Sequence, residues 1–138
     1  MEKLKIKYEN AARSLETLRQ ILEEPFSIIV RDATIQRFEY PFEAVWKYLR
    51  SYLREKEGII CNSPKSCFRE AFSLGVLNEE ETVQFLEMTD NRNLIYKEEI
   101  ARNLYNKIAK HYKLMQELLK RISSKKIKFY LTRWCNLC

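Results

Sequence analysis

The sequence predicts an all-α protein: an up-and-down four-helix bundle with an extra short helix. Three observations carry that expectation. Only 2 glycines and 3 prolines in 138 residues leave too little turn chemistry for a sandwich of short strands. Apolar residues recur every three or four positions through most of the chain, the spacing that gives a helix one buried stripe. The links between such segments are brief, as they are in antiparallel bundles. The length fits one domain with a real core, and 46% hydrophobic against 32% charged residues is an ordinary balance for a soluble protein.

Each helix can be justified in turn. From Glu2 to Glu24 the stripe is Leu4, Tyr8, Ala11, Leu15, Leu18 and Leu22, and Pro25 ends it. Phe26 to Arg31 reads as a connection, with Asp32 as the N-cap of a second helix whose free amides its carboxylate would accept. That helix turns Ile35, Phe38, Phe42, Val45, Trp46, Leu49, Tyr52 and Leu53 inward and runs to Gly58. Pro41 falls inside it, and because the stripe continues on both sides the expectation is one bent helix rather than two.

The short third helix has Ser63 as cap, Pro64 at its first position, and Gly75 to close it after Phe68, Ala71, Phe72 and Leu74. Asn78 with Glu81 three residues on forms a capping box for a fourth helix carrying Val83, Phe85, Leu86 and Met88. The last begins near Lys97, with Glu98 and Glu99 at the positive end of its dipole and a stripe of Ile100, Leu104, Ile108, Tyr112, Met115, Leu118, Leu119 and Ile122. Phe38, Tyr40 and Trp46 lie at stripe edges, where aromatics either join the core or seal a dimer.

The net charge is +6, and its placement is uneven. Lys120, Arg121, Lys125, Lys126, Lys128 and Arg133 follow Glu117 with no acid among them, so the body is neutral and the C-terminal end basic. The expected organisation is therefore a helical bundle over residues 1–122 and a basic tail over 123–138. With Phe129, Tyr130 and Trp134 interleaved, that tail suits phosphates and bases or an anionic surface; as a plain chain end it would be solvated and frayed. No apolar run is long enough for a membrane span and the N-terminus lacks the core of a secretory signal, so a cytoplasmic protein is expected. In that compartment Cys61, Cys67, Cys135 and Cys138 are free thiols by default. Their unmatched spacings, with no histidine near either pair, point to no metal.

The segment from Arg31 to Tyr40, then Phe42-Glu43-Ala44-Val45-Trp46-Lys47 and Leu49, resembles a signature of the HEPN-type nucleotidyltransferase substrate-binding proteins. So do Ser63-Pro64 leading to Arg69-Glu70-Ala71-Phe72, and Leu86-Glu87-Met88 leading to Arg92-Asn93-Leu94. Several motifs in one register, over roughly Lys7 to Ile122, are far more specific than any one alone. The resemblance implies a small helical bundle, usually a homodimer, made beside a minimal nucleotidyltransferase and paired with it. No cofactor is expected. Some members of the family are metal-independent ribonuclease toxins, silenced when the partner attaches AMP to a tyrosine.

In those members an arginine is followed by four residues, a histidine, one residue and then the tyrosine. Arg92 matches the arginine and Tyr96 the tyrosine, but Arg92-Asn93-Leu94 runs directly to Ile95-Tyr96, as if three residues including the histidine had been removed. Asn91 also stands where an acid is usual. Metal-free RNA cleavage needs a base for the 2′-hydroxyl proton and a cation for the phosphate charge. Arg92 suits the second task only, and a phenol with a pKa of about 10 is a poor substitute for the first.

The only histidine, His111, falls within the last helix's apolar stripe, where packing is its ordinary use. A structural Arg92 would pair with Glu87, Asp90 or Glu99. Asp32, Arg37, Glu39, Glu43, Arg92 and Asn93 are the candidate groove residues for a nucleotide or for the transferase, with Tyr96 the candidate modification site. The alternatives are a ribonuclease toxin with Arg92 as its catalytic cation, and a structural dimer with a nucleic-acid-tethering tail.

Overall fold

A computed structural model describes residues 2–91 and 98–137, and within them the side chains of 3–91 and 101–123. Its regular elements are five helices: α1 (Glu2–Leu22), α2 (Ile28–Glu57), α3 (Pro64–Ser73), α4 (Glu79–Asn91) and α5 (Glu98–Leu137). Lys107 meets Glu87, His111 meets Gln84 and Arg121 meets Glu81, so α4 and α5 run antiparallel. Lys7 meets Ser51 across the α1–α2 hairpin, and Phe26 in its turn packs on Tyr105 near the start of α5. The α1–α2 turn and the α4–α5 fork therefore share one end of the bundle. This is the up-and-down arrangement with α3 as the added short helix.

The core forms where the stripes face one another. Phe38, Phe42, Phe68 and Phe85 are each at most 1% exposed and make a column of rings from α2 through α3 to α4, with centroid steps of 6.1, 6.1 and 4.5 Å. Every residue of the α2 stripe is buried, and α2 passes through Pro41 as one helix. Of the edge aromatics, Phe38 and Trp46 are core, whereas Tyr40 is 69% exposed.

Several local expectations are corrected. Helix α2 begins four residues earlier than Asp32: Ser27 is its N-cap, in extended conformation, with its Oγ accepting from the Val30 amide at 3.0 Å. Asp32 sits in the second turn, so it caps nothing. In α4 the buried stripe is Thr82, Phe85, Met88 and Thr89, and Val83 is 58% exposed. A buried threonine is tolerable here because each hydroxyl returns to a carbonyl one turn back, Thr82 to Asn78 at 2.8 Å and Thr89 to Phe85 at 2.9 Å. Phe72 of α3 is likewise exposed, since the inward side of that helix is Cys67, Phe68 and Ala71.

Two expected free thiols are joined: Cys61 in the α2–α3 link and Cys67 of α3 form a disulfide that closes the loop between them, with their Cα atoms 5.3 Å apart. Ser63 and Ser66 make a reciprocal capping box inside that loop, and Ser63 with Pro64 opens α3 as expected. Asn78 and Glu81 form the second box, with bonds of 2.8 and 3.0 Å. At the C-terminal end the backbone of α5 continues as helix to Leu137, through the segment expected to fray.

Candidate functional site

Arg92, Asn93 and Tyr96 lie outside the described residues. What the structure gives is the frame on either side of them. Helix α4 ends at Asn91 and α5 starts at Glu98, and between them opens a polar cleft of about 240 Å³ lined by Glu87, Asn91, Asn103, Leu104 and Lys107. Lys107 is ion-paired with Glu87 across the cleft, and Asp90 with Lys65 of α3 at 2.6 Å. Two of the three carboxylates that would hold a purely structural Arg92 are thus already paired.

Asn103 and Lys107 are cleft residues that the sequence reading missed. Their signal was available: at i and i+4 on α5 they share a face, and Leu104 beside them is fully buried. Polar residues flanking a core position at a helix junction mark the rim of a cleft.

His111 lies one turn further along α5 and is 1% exposed. Its Nδ1 lies 3.0 Å from the side-chain amide of Gln84, within hydrogen-bond distance. Its Nε2 is buried with no hydrogen-bond partner among the described residues, and the ring packs on Phe38 at 5.8 Å. Burial, aided by Lys107 and Lys110 and opposed by Glu87, pushes the pKa down to about 4. A ring so enclosed, with Nδ1 held by Gln84, is a core side chain and not an accessible base.

Of the four α2 candidates, Asp32, Arg37 and Glu39 are exposed and Glu43 is half-buried. Asp32 is bound by Arg31, whose guanidinium approaches it at 3.1 Å. Glu43 lines a groove of about 220 Å³ between α1 and α2 with Lys7, Asn10, Tyr40, Ala44 and Lys47. Its Oε2 accepts from the Trp46 indole at 2.9 Å and lies 3.9 Å from the Lys47 ammonium. Among the described residues no group of three or more His, Cys, Asp or Glu side chains is placed to hold a metal, and no helix is long and apolar enough to cross a membrane.

A family model described as nucleotidyltransferase substrate binding protein like matches residues 6–124, and the chain belongs to that family. A protein of known crystal structure from Thermus thermophilus is 44% identical, over 81% of this chain and 98% of that one, with a TM-score of 0.76. One chain in a double mutant of the toxin–antitoxin pair MntA–HpeT has the same fold at 13% identity, covering 90% of this chain and 99% of that one, TM-score 0.74. So has one in the complex of the tri-AMPylated HEPN toxin of Shewanella oneidensis with its MNT antitoxin, at 14% identity over 88% and 96%, TM-score 0.69. At such identities the likeness is one of fold. None of the curated proteins compared with the chain matches it.

Proposed function

We propose that this protein is the partner of a minimal nucleotidyltransferase in a two-component, toxin–antitoxin-like pair, binding nucleotide or the transferase at the α4–α5 fork as a homodimer. The observation that carries the reading is the family match over residues 6–124, which spans every helix of the bundle. The polar cleft beside residues 92–97 supports it as the place of contact. Tyr96 is the acceptor for AMP: its phenolic oxygen attacks the α-phosphorus of ATP on the transferase, loses its proton and displaces pyrophosphate.

Intact-mass measurement after incubation with the cognate transferase and ATP tests this. A gain of AMP that Tyr96→Phe abolishes is expected; no gain, or a gain that survives the substitution, removes the modification. Failure to co-elute with the transferase at any salt concentration removes the partnership itself.

Ribonuclease activity is the second reading, because HEPN toxins share the fold. The enclosure of His111 weighs against it, since no other imidazole exists in the chain to take the 2′-hydroxyl proton. Purified protein is expected to leave RNA intact without metal. Cleavage that Arg92→Ala stops would reinstate the nuclease.

A further inference from the structure

The α1–α2 groove belongs to a longer feature. Along α2, Tyr40, Glu43, Ala44, Lys47, Arg50, Ser51 and Arg54 fall within about a third of the helix circumference at ~3.6 residues per turn, on the side away from the core stripe. Lys3, Lys7 and Asn10 form the matching row on α1. Lys7 ties the rows together by donating to Ser51 Oγ at 2.7 Å.

The charge there is poorly compensated. Lys7 lies close enough to Arg50, Arg54 and Lys3 for each to disfavour its protonation, with burial the largest cause and Glu55 the one opposing charge. Among the described residues Lys3, Lys7, Arg50 and Arg54 make no ion pair with a carboxylate, and Arg50 is held over the Trp46 ring at 4.9 Å instead. Folding gains nothing from gathering like charges on one face, so such a face stores attraction for an anion. At one end of the cationic rows stands Tyr40, 69% exposed beside an open groove.

We propose that this face of α1 and α2 binds single-stranded nucleic acid, with phosphates following Lys47, Arg50, Arg54, Lys3 and Lys7 and a base stacking on Tyr40. Two features select this ligand. From Tyr40 to Arg54 the rows run ~21 Å at 1.5 Å per residue, more than the phosphates of one mononucleotide span. A cationic groove with an exposed aromatic ring is also the pairing that holds a strand without reading its sequence. Glu43, satisfied by Trp46 and Lys47, sits at the groove wall where a base edge rather than a phosphate would pass. The track uses none of the residues of the α4–α5 fork, so its fate is independent of the transferase partnership.

The test is fluorescence anisotropy of the full chain with a labelled uridine oligonucleotide of about sixteen residues, long enough for one such site. Lys47→Glu with Arg54→Glu, both exposed, is expected to weaken binding more than tenfold. The slope of log K against log salt should flatten by about 1.4, or 0.7 for each lost phosphate contact. Tyr40→Ala is expected to cost about tenfold with the slope unchanged. Circular dichroism checks that each variant is folded.

Any of five results overturns the proposal. The wild type does not bind, or the variants bind as it does. Deletion of residues 124–138 alone abolishes binding. ATP binds as tightly as the strand. The charge-reversed protein keeps the oligonucleotide but loses the transferase, which would make the face a dock for an acidic protein.

Discussion

At the scale of the residue, His111 is the most informative side chain. A fold that needed it as a base would leave a nitrogen open to solvent, yet Nδ1 is taken by Gln84 and Nε2 is sealed in the core. The ring's folded pKa, about 4, lies below the ordinary 6.5, so the unfolded chain binds the extra proton first. Stability from the neutral ring is full above pH 6.5, falls as pH drops below that value, and levels off near pH 4. The loss should total about 3 kcal/mol, at ~1.4 kcal/mol for each pH unit. Urea unfolding between pH 7 and pH 5 should show this slope, and His111→Leu should flatten it. An unchanged slope in that variant would mean that another group titrates. Sequence placed His111 in the stripe correctly, because periodicity reports burial. It could not report the bond to Gln84, 27 positions away, which decides that the ring is closed.

At the scale of the element, the elements follow local rules, and the misreadings arise where two rules competed. Both Ser27 and Asp32 are good cap residues. Ser27 wins because helix from Ile28 buries Thr34, just before the stripe seemed to begin at Ile35, and Arg31 one turn before it. Ser27→Ala is therefore expected to cost about 1 kcal/mol, the usual worth of a cap, and Asp32→Ala less than about 0.5; equal costs in thermal melts would contradict the assignment. Val83 was read as core because it is apolar, but α4 buries threonines whose hydroxyls are satisfied within the helix, and polarity alone cannot signal that. The Cys61–Cys67 link was hidden for another reason. Spacing does not reveal pairing, and only the turn from α2 into α3 brings the two sulfurs together. Closing so short a loop limits the unfolded chain modestly, so reduction should lower stability by only about 2 kcal/mol. Cys61→Ser with Cys67→Ser should match the reduced protein, and should itself be indifferent to dithiothreitol.

At the scale of the whole molecule, bundle topology was legible because it needs only stripe periods, caps and short links, all of them local. The family motif around residues 92–96 is visible in the sequence though outside the described residues, whereas the cleft is not, since Asn103 and Lys107 enter it from a different helix. The same contrast bears on where the bundle ends. Arg121 of α5 donates to both oxygens of Glu81, at 2.8 and 2.9 Å, and to the Val76 carbonyl at 3.1 Å, fastening the α3–α4 turn onto the last helix. That fork holds the Glu81 carboxyl below its ordinary range and completes the capping box of α4 from outside. Leu118, Leu119 and Ile122 are buried beside it, and the family match ends at residue 124. The cooperative unit should therefore close there, whatever α5 does beyond. A chain cut after Ser124 is expected to melt within about 2 °C of the full protein, as changes outside the packed core usually do. A cut after Gln116 removes three core side chains and the Arg121 fork, and should cost well over 4 kcal/mol, enough to leave much of the protein unfolded at 25 °C. Calorimetry of the two truncations decides the matter. If the first cut is as damaging as the second, the remainder of α5 packs on the bundle, and residues 125–137 belong to the fold rather than to a separable basic extension.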